Sequence, residues 1–67
     1  MADKMYLAGA LDAREWIRND SPTQAELVDE LRKLDQVIPV FEETAPEIYL
    51  YLKGWRSEIH RALAQDT

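Results

Sequence analysis

An all-α fold is what this sequence predicts: a small bundle of three helical segments in a single helical domain, residues 1–67, completed by dimerisation. Three observations lead there. Apolar residues recur at Leu27, Leu31, Leu34, Ile38 and Phe41, in steps of four and three, the seam of a helix packed against other helices. Two proline-marked breaks, Asn19-Asp20-Ser21-Pro22 and Thr44-Ala45-Pro46-Glu47, divide the chain into thirds. No segment alternates apolar and polar residues as a strand does. Ile48-Tyr49-Leu50-Tyr51-Leu52 is β-prone, but it follows a helix start and continues into helical sequence.

The first helix is expected over 3–19. Tyr6, Ala10, Ala13 and Ile17 line one face, Leu7 and Leu11 widen it on one side, and Met5 and Trp16 widen it on the other. That arc exceeds the ~100° of a surface helix, so neighbours are expected on more than one side. Gly9 lies within a small-residue cluster, Ala8-Gly9-Ala10. Glycine in a helix costs about 1 kcal/mol against alanine, so Gly9 marks either the close approach of another backbone or a glycine that the helix simply tolerates.

The second helix is expected over 22–44, as the long central element. Ser21 is placed as its N-cap, Pro22 as its first residue and Gln24 as the partner in an S-x-x-Q capping box. Asp29 and Lys33 have the i,i+4 spacing of an ion pair. Pro39 removes one helix hydrogen bond. Yet Leu34, Ile38 and Phe41 stay in phase across it, so the helix is read as kinked there and continuing to Thr44.

The third helix is expected over 46–64, with a seam of Ile48, Leu52, Trp55, Ile59 and Ala62. Its start is apolar on every side, and Leu50 projects almost opposite Leu52. A helix apolar all round is buried all round. Within 67 residues a dimer is one way to achieve that, and Leu50 is then expected to face the second subunit. Size argues the same way. A core in a chain this short rarely supplies more than about 3–5 kcal/mol. The chain has no cysteine and one histidine, so disulfides, thiolate metal sites and a structural zinc are not expected to help.

The net charge is −5, and most of the excess lies in residues 21–45, where six acids meet two bases. Such a chain repels phosphate backbones and anionic membrane surfaces. No apolar run approaches the ~20 residues that span a bilayer. Met5 to Leu11 is too short for the apolar core of a signal peptide, so it is read as helix and the protein as cytoplasmic.

Candidate chemistry is sparse. Ser57 lies one turn before His60, but catalysis would need a third group to orient the imidazole and an oxyanion site. Glu42, Glu43 and Glu47 cluster at the second break, yet their spacing fits no metal loop. No catalytic residue, cofactor or metal is therefore expected. Tyr49, Leu50, Tyr51 and Trp55, with Trp16 and Leu11, form the richest apolar and aromatic set; Tyr and Trp are frequent interface anchors, and at helical spacing the set serves equally as core.

The expected function is accordingly non-catalytic protein binding: a small acidic inhibitor or adaptor that occludes a partner protein, in the manner of bacterial or phage regulators. The alternative uses Lys53, Arg56 and His60, a basic stripe at i, i+3, i+7, to contact RNA. In architecture alone that alternative resembles the Rop-type helical-hairpin RNA binders, which are also dimers. Against it stands pairing of the stripe with the acidic side of the second helix, from Glu26, Asp29 and Glu30.

Overall fold

The computed structural model describes residues 2–65. Three helices fill it: α1 (Ala2–Asp20), α2 (Gln24–Thr44) and α3 (Pro46–Gln65). The all-α expectation holds among the described residues. The centre of the bundle differs from the expected one. α3, not α2, lies close along both other helices, while the backbones of α1 and α2 stay apart. Residues that climb α1 meet residues that climb α3: Gly9 lies at Tyr51 and Arg14 at Glu58, so the pair is parallel. α2 returns antiparallel, with Asp35 at Arg56.

This arrangement accounts for the apolar start of α3 within one chain. Tyr51, Gly54 and Glu58 face α1, whereas Leu52, Arg56 and Ile59 face α2. Leu50 lies one turn before Gly54 on the α1 side and is half-buried there. Ile48 departs from the expected seam. It is 44% exposed, because it sits at the end of the bundle beyond the reach of the core.

The α2 seam forms the core from Leu27 to Ile38, while its last member, Phe41, is half-buried outside the cluster. Leu27, Leu34 and Ile38 are buried around Ile59, which is fully enclosed. Leu31, Leu52, Leu63 and, from α1, Trp16 and Ile17 pack onto that cluster. α2 runs unbroken through Pro39 to Thr44, and the Asp29–Lys33 pair forms at 3.3 Å.

The α1–α3 contact is built on small residues. Ala10 and Ala13 are buried beneath α3. A Cβ placed on Gly9 would overlap the Tyr51 carbonyl oxygen, and one on Gly54 would overlap the Tyr6 carbonyl oxygen. Each helix therefore offers a glycine notch to the other's backbone, the first of the two readings of Gly9. Leu7 and Leu11 lie on the opposite side of α1, 57% and 48% exposed. Among the described residues no second neighbour covers the Leu7–Leu11 side of this helix.

The first break is built differently from the expected one. Ser21 closes α1: its N–H bonds the Ile17 carbonyl at 3.0 Å, and its φ of +46° lies in the left-handed region that ends helices. Thr23 is the N-cap of α2. Its hydroxyl accepts the Glu26 N–H at 3.2 Å, and the Glu26 carboxylate accepts the Thr23 N–H at 2.9 Å. Two capping boxes overlap in this stretch, Ser21 with Gln24 and Thr23 with Glu26. The second forms because an ionised carboxylate is the stronger acceptor and because Ser21 is engaged in ending α1. The bond from Thr23 holds the Glu26 carboxyl below its ordinary value. At the second break a single residue serves both helices. The Ala45 N–H bonds the Phe41 carbonyl, and its carbonyl accepts the Tyr49 N–H, both at 3.0 Å. Pro46 then takes the first position of α3, where it has no hydrogen bond to lose.

Candidate protein-binding surface

The aromatic residues set out from sequence are drawn into contacts between helices. Trp16 of α1 and Trp55 of α3 meet with ring centroids 5.5 Å apart, tilted by 52°. Both are half-buried against the core cluster. That geometry lets the edge of one ring meet the face of the other. The Tyr51 hydroxyl donates to the Asp12 carboxylate, joining α3 to α1. That bond holds the Tyr51 phenol above its ordinary value. Tyr49 is half-buried against the α2 core, with the Lys53 ammonium 5.2 Å from its ring centroid. Leu11 stands out in solvent.

The basic stripe is partly occupied by intrachain contacts. Arg56 pairs with Asp35 at 3.3 Å, so its acidic partner on α2 is neither Glu26, Asp29 nor Glu30. Lys53 lies over Tyr49, and His60 is exposed. No hydrogen bond joins Ser57 to His60. The opposite flank of α3 holds a clamp that sequence reading missed. Glu58 is 11% exposed and receives Arg14 from α1 at 3.3 Å and Arg61 at 3.8 Å. Two of the guanidinium nitrogens of Arg14 reach the two carboxylate oxygens, at 3.4 and 3.3 Å. Because Glu58 is mostly enclosed, this pair orders the α1–α3 register more firmly than an open surface pair would. Its signal in the sequence is faint, since Arg14 and Glu58 are far apart along the chain.

Among the described residues no group of three histidines, cysteines or acids is close enough to hold a metal ion. No helix among them is long and apolar enough to cross a membrane. The large apolar side chains left in solvent fall mostly on two stretches, with Val28 standing apart near the start of α2. Tyr6, Leu7 and Leu11 lie on α1. Val37, Val40 and Ile48 lie toward the α2–α3 junction, where Phe41 is half-buried. Val37, Val40 and Phe41 share one face of α2 by their i, i+3, i+4 spacing, and Ile48 follows on the first turn of α3. Glu42, Glu43 and Glu47 stand exposed around this tip, with no ion-pair partner among the described residues. Compared with protein-family models, with curated proteins and with solved structures, the chain matches none.

Proposed function

We propose that this chain acts by binding another protein without catalysis, as a small inhibitor or adaptor, and that the α2–α3 tip is the surface it uses. One observation carries the reading. Val37, Val40 and Ile48 remain open at a tip where three unpaired carboxylates form the rim. Val40 alone is 61% exposed. An apolar centre with a polar rim is the anatomy of a protein interface, and the negative rim selects a partner that is basic around an apolar patch. The RNA-binding alternative has less support, because Arg56 and Lys53 are engaged by Asp35 and Tyr49.

The test is affinity capture from host extract with the wild-type chain and with a Val40→Lys, Ile48→Lys variant, read by mass spectrometry. A protein held at stoichiometric level by the wild type and lost by the variant, at unchanged helicity, is the expected result. Capture that is unaffected by the tip changes would overturn the assignment of the surface. Capture that disappears with nuclease, and with Lys53→Ala plus Arg56→Ala, would replace protein binding by nucleic-acid binding.

A further inference from the structure

We infer that the outer face of α1 docks on a second copy of this chain, antiparallel about a two-fold axis near Gly9. The face is apolar at its middle. Leu7 and Leu11 are one turn apart, and both point away from α3, whose contact with α1 runs through Gly9, Ala10 and Ala13. Lys4 and Glu15 lie on the same flank of this pair, one toward each end of the helix. Neither has an ion-pair partner among the described residues. A two-fold axis through the midpoint of Leu7 and Leu11 sets Leu7 of each copy on Leu11 of the other. The same axis sets Lys4 of one copy level with position 14 of the other, on the flank of Glu15 and one residue short of it, twice. The face is thus symmetric in shape and opposite in charge about one point, as an isologous interface requires.

The surface also carries a receptor of the right form. A shallow hollow of about 320 Å³ belongs to the α1–α3 clamp, but a separate one of about 300 Å³ opens on the α1 face between Leu11, Arg14, Glu15, Arg18 and Asn19. Leu11, Arg14, Glu15 and Arg18 have the i, i+3, i+4, i+7 arrangement that receives a side chain from a facing helix. In the antiparallel register the side chain that arrives is Lys4 of the second copy. Its alkyl stem lies along Leu11 and its ammonium reaches Glu15. Arg14 is drawn toward Glu58, and Arg18 lies one turn beyond Arg14 toward the far end of the hollow. The interface is a single helix face, so the dimer is modest in affinity and sensitive to salt.

Sedimentation equilibrium across about a hundredfold range of concentration tests this, because mass action moves a dimer of this kind through its midpoint. The mass is expected to rise from one chain to two. Leu11→Lys should abolish the rise at unchanged helicity, since Leu11 takes no part in the core. Lys4→Glu and Glu15→Lys should each weaken association about tenfold, because the axis counts every charge change twice. The chain carrying both changes should recover the wild-type affinity. A single-chain mass throughout for the wild type would overturn the inference. So would a dimer that survives Leu11→Lys, or a double variant weaker than either single one. The tip variant Val40→Lys, Ile48→Lys should dimerise as the wild type does, so failure here and failure of the tip reading are separate results.

Discussion

A methyl group on Gly54 would occupy the space of the Tyr6 carbonyl oxygen and come within 2.8 Å of the Ala10 nitrogen. Neither is the movable end of a side chain, so relief requires the helices to part. Helix propensity pulls the other way, because alanine is favoured over glycine by about 1 kcal/mol within a helix. The steric effect wins, since overpacking against fixed backbone costs typically about 1–3 kcal/mol and here also separates Tyr51 from Asp12 and Arg14 from Glu58. Gly54→Ala and Gly9→Ala are therefore both expected to lower stability, by about 1–2 kcal/mol net in urea unfolding. Either variant melting above the wild type would remove the close α1–α3 approach from the account. Gly9 left this contact open in the sequence, because a glycine inside an otherwise good helix marks either close approach or tolerance. Gly54 carried the same signal and was masked by its neighbours, Trp55 and the Tyr49–Tyr51 run, whose size drew attention to bulk where the informative feature was its absence.

At the scale of the element, the ends of the helices separate what pattern can and cannot tell. The seam of α2 was legible because its steps of four and three admit one face, and that face is buried from Leu27 to Ile38. Its start was misplaced by two residues, because Ser21 and Thr23 each head a plausible box. The choice depends on how α1 ends, which a capping pattern alone does not contain. The Thr23–Glu26 box makes a specific prediction. Thr23→Ala should cost about 0.5–2 kcal/mol of stability at neutral pH. The folded-state Glu26 carboxyl lies below its ordinary 4.5, so its contribution is complete above that value and is lost as pH falls through the lowered one. In the wild type, denaturant midpoints should therefore fall on acidification through this window. In Thr23→Ala the share due to Glu26 should shrink, because the hydroxyl that helps to hold the carboxylate is gone. Parallel acid profiles for the two proteins would detach Glu26 from the cap.

The whole molecule is two interfaces sharing one helix, and this was the least legible level. All three helices have an apolar face, and which of them lies in the middle depends on pairings between residues far apart in sequence. The apolar start of α3 was the clue; two partners in the same chain satisfy it, as a dimer would have done. Sharing has a consequence for unfolding. The backbones of α1 and α2 stay apart, so the α1–α3 pair could in principle persist when α2 leaves. Trp16 and Ile17 argue against that. They belong to α1 yet pack onto the cluster of Leu27, Leu34, Ile38 and Ile59, so loss of α2 exposes them too. Leu34→Ala should cost about 2–5 kcal/mol as a buried leucine truncation. That is close to the whole stability expected at this size, about 3–5 kcal/mol. The tilted Trp16–Trp55 pair gives a near-ultraviolet circular dichroism signal specific to α1 and α3, while the far-ultraviolet signal counts all three helices. If Trp16 and Ile17 couple the interfaces, the two signals fall at one denaturant midpoint in the wild type and at one lower midpoint in Leu34→Ala. Two midpoints, with the tryptophan signal surviving loss of a third of the helicity, would mean that α1 and α3 fold as a pair and that α2 is added to them.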